Sequence, residues 1–409
     1  MKELYEGARA LAIDGALPSV GEALPTWPHY ADDEVQAVER VLRSGKVNYW
    51  TGEETSLFEQ EYAAYLGRKR AIALSNGTIA LELPLGCWGI GPGDDVIVTP
   101  RSFIASVSCV VRAGARPVFA DVDRESGNIT PESIAAVLTP RTRAIICVHL
   151  AGWPCDMPGI MALARQHDIK VLEDCAQAHG ARVAGRPVGG FGDAVAFSFC
   201  QDKIISTGGE GGLLVTDDDE LWSKAWSLKD HGKSLEAVYE RTHGPGFRWV
   251  HDAFGSNYRL TESQAAIGRA QLRKLEDWVA QRTVNASLLA AGLQDLPLVR
   301  IPRLPADVQH AWYKFHFFLR PERLKPGWTR ERVLEAIQAE GVPCFAGSCS
   351  EIYLEHAFDE TSFRPANRLP VARELGETSL VLLVHPTLGS RHMERIRDAA
   401  RKVLLAAGR

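Results

Sequence analysis

The 409-residue chain has no C-x-x-C pair among its 8 cysteines, which lie at positions 87, 109, 147, 155, 175, 200, 344 and 349. Metal sites ordinarily show closer Cys/His spacing, so no metal centre is expected. Several of the thiols sit inside apolar runs and read as small core residues in a reducing compartment. No apolar run approaches the roughly 18 residues of a membrane span. The opening stretch MKELYEGARALAIDGALP carries acids among its apolar residues and lacks the uninterrupted run of a secretion signal, so a cytoplasmic protein is expected. Basic clusters are missing too: 46 Lys+Arg stand against 51 Asp+Glu, a net charge of −5. Without clustered cations to displace counterions, nucleic acid is a poor partner. Internal repeats, low-complexity segments and the G-x-x-x-x-G-K-[ST] phosphate loop are all absent.

What is present is ordinary globular composition, 45% hydrophobic and 24% charged. From residue 70 to 216, short β-branched runs alternate with amphipathic stretches. The expected strands are Arg70–Ser75, Asp95–Thr99, Pro117–Asp121, Arg143–Leu150, Lys170–Asp174, Ala194–Phe199 and Gly212–Thr216. They are nearly continuously apolar, as strands covered on both faces are. Helical stretches lie between them at Thr78–Trp88, Phe103–Ala113, Pro131–Leu138 and Met157–His167. This alternation predicts a three-layer α/β/α domain with a mostly parallel sheet. Beyond it the pattern predicts one long helix over Thr261–Ala291, capped by Thr261 and ended by Gly292, then a Pro-punctuated linker over Leu296–Pro305. A smaller α+β domain follows, with a strand at Tyr313–Leu319 and a helix at Arg330–Glu340. The expected division is 1–290, with residues 1–30 peripheral, and 291–409. Such a pair of domains leaves a cleft suited to a ligand.

Three features fall at the ends of expected strands, where open α/β sheets place ligands. Ser75-Asn76-Gly77-Thr78 joins a strand to a helix; it is either a phosphate cradle or an ordinary capped turn. Glu173-Asp174, followed by Gln177 and His179, sets a carboxylate at the sheet's mouth. It can hold a cationic heteroaromatic nitrogen, bind a metal, act as a base, or merely cap a helix. Lys203 follows the run Phe197-Ser198-Phe199 and precedes a glycine cluster ending at Gly212. A sheltered lysine can attack a carbonyl and form a Schiff base, whereas a surface lysine before a turn does nothing of the kind. Together the three supply a phosphate cup, an anion for a ring nitrogen and a carbonyl-reactive amine, which is what pyridoxal phosphate requires.

The segments SNGTIALEL, GIGPGDDVIVTPRSFIAS, GARPVFADVD, TPRTRAIICVHLAGWPCDM, VLEDCAQAHGA, GRPVGGFGDAVAFSF, the glycine cluster after Lys203 and GSNYRLTESQAAIGRAQL resemble, in this order, the DegT/DnrJ/EryC1/StrS family. These are pyridoxal 5′-phosphate (PLP)-dependent aminotransferases of fold type I, many of them acting on sugars. The resemblance covers about residues 30–290 and continues more weakly to the C-terminus. It implies a mixed, mostly parallel seven-stranded sheet and a homodimer with shared active sites.

By the same resemblance, Lys203 would hold the cofactor and shuttle the proton. Asp174 would pair with the ring nitrogen, Gln177 would lie near the ring hydroxyl, and Phe103 would stack on the ring. Gly77, Thr78 and Ser198 would hold the phosphate, joined by Asn257 from the neighbouring subunit. Tyr49, Trp50, His179 and Lys314 are the expected substrate contacts. Lys203 also separates this chain from related sugar dehydratases, which resemble it but carry His at that place. The implied reaction moves an amino group from L-glutamate (or L-glutamine), by way of the PLP and pyridoxamine (PMP) forms, to a keto-sugar. A nucleotide-linked keto-deoxysugar on the way to a surface polysaccharide or secondary metabolite is the leading acceptor. A cyclitol of the scyllo-inosose type, or the chemistry of a 3-amino-5-hydroxybenzoate synthase, is the alternative. A non-catalytic regulatory role is more distant, since Lys203, Asp174 and Ser198 are intact. The segments Phe345–Tyr353 and Trp312-Tyr313-Lys314 depart from the usual family pattern where the acceptor would bind.

Overall fold

The computed structural model describes residues 10–409. All seven expected strands form: β1 (Arg70–Leu74), β2 (Asp95–Val98), β3 (Arg116–Phe119), β4 (Thr142–Val148), β5 (Lys170–Asp174), then, after the short β6 (Arg182–Val183) and β7 (Arg186–Pro187), β8 (Ala194–Ser198) and β9 (Gly212–Thr216). They make one sheet in the order β1-β9-β8-β5-β4-β2-β3. Only β9 runs against its neighbours, pairing antiparallel with β1 and β8. Its link to β8 has no crossover helix, so the chain turns back beside the strand it has just left. Alternate side chains feed opposite faces: Ile72 and Leu74 join one apolar cluster, Ala71 and Ala73 another. Helices Gly77–Cys87, Ala105–Arg112 and Asp219–Lys229 cover the first face, while Glu54–Leu66, Met157–Gln166 and part of Leu275–Leu293 cover the second. The fold is the mixed, mostly parallel three-layer arrangement expected.

A second sheet of four antiparallel strands follows, in the order β10-β12-β14-β13: β10 (Val299–Arg300), β12 (Phe315–Leu319), β13 (Cys344–Phe345) and β14 (Ser379–Leu382). Phe315, Phe317 and Leu319 bury one face of it under helices Arg330–Ala339 and Ser390–Ala407. Between β10 and β12, β11 (Val308–Gln309) crosses back to pair with β6 of the first body.

Several expectations are corrected. The long helix over Thr261–Ala291 is two helices, Glu262–Leu272 and Leu275–Leu293. Neither Gly nor Pro marks the break; the first piece lies against Asp32–Ser44 and Glu54–Leu66, and the second reaches the closing helix Ser390–Ala407. Gly292 lies inside the second helix rather than beyond it. A Cβ there would stand 2.2 Å from Cδ of Arg397, so the glycine makes room for a crossing arginine. The linker Leu296–Pro305 contributes β10 to the second sheet.

Residues 1–30 are not peripheral over their described part. Leu11 and Val20 are buried in the second body's core. The buried Glu340 carboxylate accepts the N–H groups of Ala12 and Ser19, each at 2.9 Å, and the Lys402 ammonium at 2.8 Å. Residues 1–9 lie outside the described part. Among the described residues, no helix is long and apolar enough to cross a membrane.

Glu340→Gln keeps the shape of this anchor and removes its charge. It is expected to cost about 1–3 kcal/mol in urea unfolding, the usual value for charge-assisted bonds, and to make the segment near Val20 more sensitive to brief proteolysis.

Candidate active site

The parallel strands β4, β5 and β8 end at one edge of the large sheet, and a cavity of about 360 Å³ opens there. Helix Gly77–Cys87 points its N-terminus into it. Asn76 caps that helix, its Oδ1 accepting the Ile79 N–H at 3.0 Å, so Asn76 makes the ordinary capped turn. The first N–H groups of the helix have no intrahelical partner and face the cavity with the positive end of the helix dipole. A Cβ on Gly77 would meet Cβ of Ser198 at 2.7 Å. Glycine therefore lets the helix start sit directly on the end of β8, which puts Gly77, Thr78 and Ser198 around one cup.

Asp174 lies across the cavity at the end of β5 and is only 4% exposed. Ser106 donates to its Oδ2 at 2.8 Å and the Ala176 N–H to its Oδ1 at 3.1 Å. Burial pushes its pKa upward; the Ser106 bond, the Ala176 N–H and the charge of Lys203 offset this only in part. Among the described residues, no cation stands at ion-pair distance from it. Gln177 lines the same cavity, its Oε1 accepting the Ala151 N–H at 2.7 Å. Phe103 is 68% exposed at the mouth.

Lys203 lines both this cavity and an adjoining one of about 370 Å³, bounded on the far side by Lys314, His316 and the 347–349 loop. Its Nζ is 3.2 Å from Asp202 Oδ1, and Asp202 in turn accepts the Tyr313 hydroxyl. From behind, the indole N–H of Trp27 donates to the Lys203 carbonyl at 2.8 Å. Lys314 reaches the second cavity with its Nζ 4.0 Å from Asp202 Oδ2.

The remaining expected residues are elsewhere. His179 is fully buried among Tyr62, Phe197 and Phe199. Its Nε2–H donates to the Ser198 carbonyl at 2.9 Å and its Nδ1 accepts the Tyr62 hydroxyl at 2.7 Å. It supports the end of β8 and lines neither cavity, so it is not a substrate contact. Tyr49 and Trp50 line neither cavity of their own chain. They pack edge-on with each other and beneath Lys229 and Lys233, whose ammonium groups lie 3.6 and 4.1 Å from the two ring centres. Asn257 is also absent from the cavity, pairing with Asp230 in the chain's outer loop. Ser106, Asp202 and Trp27 were not singled out by the sequence, and Tyr313 was noted only within the Trp312-Tyr313-Lys314 departure from the family pattern. Asp202 adjoins Lys203 and Ser106 ends RSFIAS, but nothing local marks Trp27.

Among the described residues, one group of metal-ligand types is close-set: His149, Glu173 and Cys175. It is already committed. The His149 Nε2–H donates to Glu173 at 3.1 Å, and the Gly189, Phe191 and Gly192 N–H groups occupy the rest of that carboxylate.

A helix N-terminus for an anion, a buried acid lacking its cation and an amine at the mouth of a second cavity define a site built for a phosphorylated, cationic heteroaromatic cofactor. The model of the DegT/DnrJ/EryC1/StrS aminotransferase family matches residues 28–401, and the chain belongs to that family. It is a PLP-dependent aminotransferase. It is 54% identical to a solved aminotransferase from Psychrobacter cryohalolentis, with a TM-score of 0.92 over 94% of this chain and 100% of that one. It is 37% identical over 382 residues to the UDP-N-acetyl-3-dehydro-alpha-D-glucosamine 3-aminotransferase of Acidithiobacillus ferrooxidans, spanning 92% of this chain and 96% of that protein. It is 34% identical to the spore coat polysaccharide biosynthesis protein SpsC of Bacillus subtilis, over 93% and 96% of the two chains.

Burial lowers the His179 pKa to about 3. The unfolded chain takes up that proton near pH 6.5. The stability this residue carries is therefore complete above about pH 6.5 and declines as pH falls toward about 3. His179→Gln retains a donor and an acceptor but does not titrate. Urea unfolding between pH 4 and 7 is expected to show a shallower acid limb for the variant; an unchanged slope contradicts the assignment.

Proposed function

We propose that this aminotransferase transfers the amino group of L-glutamate (or L-glutamine) to a nucleotide-linked keto-sugar in amino-sugar biosynthesis. The observation that carries the reading is the position of Lys203, which is shared by the cavity that suits the cofactor and by the cavity beside it that holds Lys314. The names of the Acidithiobacillus and Bacillus relatives support a sugar acceptor.

In this reading Gly77, Thr78 and Ser198 bind the phosphate, Asp174 balances the ring nitrogen, Gln177 sits beside the ring and Phe103 stacks on it. Bound there, PLP supplies an electron sink that stabilises negative charge on the substrate carbon and carries the amino group between the two substrates. Lys203 Nζ holds the cofactor between turnovers and, once released, moves the substrate-carbon proton as a base and returns it as an acid. Asp202 lies within reach to hold that amine in place, and Tyr313 fixes Asp202. Lys314 offers a cation to an acidic group on the acceptor or donor. Asn257, which does not line its own chain's cavity, would serve the neighbouring subunit's phosphate, which requires a homodimer.

Lys203→Ala is expected to lower turnover at least about 10³-fold, the scale on which a group acting directly in proton transfer is lost. Borohydride-treated wild type should carry the cofactor's mass on the peptide containing Lys203, and the variant should not. Single-turnover absorbance of the PMP form separates the acceptors: nucleotide-linked 3-keto or 4-keto sugars should restore the PLP band. Restoration by scyllo-inosose alone would replace the sugar reading with a cyclitol one.

Mixing Lys203→Ala with Asn257→Ala subunits tests the shared site. If Asn257 crosses the interface, reassociated dimers regain up to about a quarter of the wild-type sites by random pairing across a two-fold axis. No recovery places Asn257 outside the partner's site.

A further inference from the structure

Arg101 is among the largest fully buried side chains, 1% exposed, between the two bodies of the protein. One of its nitrogens, Nη1, donates to the Ser350 hydroxyl. Its Nε and Nη2 are buried and have no hydrogen-bond partner. Among the described residues, no carboxylate stands at ion-pair distance from it. Burial, with a smaller push from Arg300, lowers its pKa to about 10, so it remains a cation at neutral pH.

Arg101 borders a small cavity of about 30 Å³. Gly127 and Ser126 of the loop after β3, Trp153 after β4, and His310, Trp312 and His316 of the second body form much of the wall. Burial drives both histidines well down, His310 to about 3, so both are neutral. Arg300 stands on the same Phe318 ring as Arg101, at 4.3 Å against 5.8 Å from the ring centre. Glu125 also lines the cavity, but its Oε1 is taken by Arg300 Nη1 at 3.1 Å and its Oε2 by the Arg303 N–H at 3.0 Å. The nearby Cys349 thiol is pushed upward by burial and carries no charge. Two guanidiniums thus face one carboxylate that is already spent, which leaves one positive charge unpaired in the interior.

An unpaired buried cation is among the most costly features a fold can carry. A guanidinium with free N–H groups beside a small cavity is the arrangement that accepts an anion. The volume decides its class. One water needs at least about 10–15 Å³, so 30 Å³ suits a monatomic or similarly small anion and is too small to enclose a sugar, an amino acid or a nucleotide.

We infer that the Arg101 cavity is a binding site for a small monovalent anion of chloride size. The anion joins the two bodies at a sensitive place. Arg101 precedes Ser102 and Phe103, which line the cofactor cavity. The Ser102 N–H donates to the Cys349 carbonyl at 3.1 Å, beside the Ser350 that Arg101 holds. Filling the cavity therefore stiffens the loop carrying Phe103 against the second body, whichever acceptor the enzyme uses.

The test uses cofactor-loaded enzyme with sodium bromide or sodium chloride against sodium gluconate at equal ionic strength. Binding to the folded state raises the melting midpoint by about 1–2 °C per tenfold increase in halide above its dissociation constant, for a chain of this length. Crystals grown in bromide should show an anomalous peak beside Arg101 Nε and Nη2. Arg101→Met should abolish the halide-specific shift, and Arg101→Gln should weaken it. The inference is overturned by water in the cavity of bromide-grown wild-type crystals with no anomalous peak. A halide shift of equal size in wild type and Arg101→Met likewise overturns it. Because the diffraction readout uses wild-type enzyme, it stands even if neither variant folds.

Discussion

Two adjacent carboxylates at the end of β5 organise the site. Because successive residues of a strand face opposite ways, Glu173 and Asp174 meet different surroundings although both are buried. Burial pushes both upward. For Glu173, the His149 ring and the N–H groups of Gly192 and Gly189 outweigh burial and hold it below the ordinary carboxylate range. It stays ionised and pins the 189–192 loop and the chain after β4. Asp174 has only Ser106 and Ala176 as direct partners and stays raised. The first acid is satisfied within the protein, and the second waits for a cation from outside.

Around that acid, close approach does the positioning. Gly77 lets a helix begin against the end of β8, and His179 braces the same strand end through the Ser198 carbonyl. Lys203 is then fixed from two sides: Trp27 from the N-terminal segment binds its carbonyl, while Asp202 and Tyr313 approach its amine. Tyr313 immediately precedes the second sheet, so the second body and the N-terminal strap both bear on Lys203. Arg282 ties these together, buried under the Trp27 ring and donating to the Tyr313 carbonyl at 3.2 Å.

The same contact between bodies explains why both cavities along it are lined from distant parts of the chain. The larger one borders Lys203 and Lys314, and the smaller one holds the Arg101 guanidinium. His316 lines both, which places the inferred anion beside the wall of the cavity that holds Lys314.

Much of this was legible in the residues. The seven strands of the large sheet are short, apolar on both faces and punctuated by turn residues, so local pattern located each one within about two residues. Gly77, Asp174, Ser198 and Lys203 were legible because each falls at a strand end in a recognisable run. The break at Arg273–Lys274, the buried role of His179, the burial of Leu11 and the arrival of Trp27 at Lys203 were not legible. Each depends on what lies across a long gap of chain, such as the 176 residues between Trp27 and Lys203 or the 117 between Tyr62 and His179. Local periodicity carries no information over such distances. The sequence by itself determined the sheet and the chemical identity of the groups at its edge. The tertiary structure decided which polar groups are spent on one another and which remain free, because hydrogen bonding and burial depend on proximity in space rather than order along the chain.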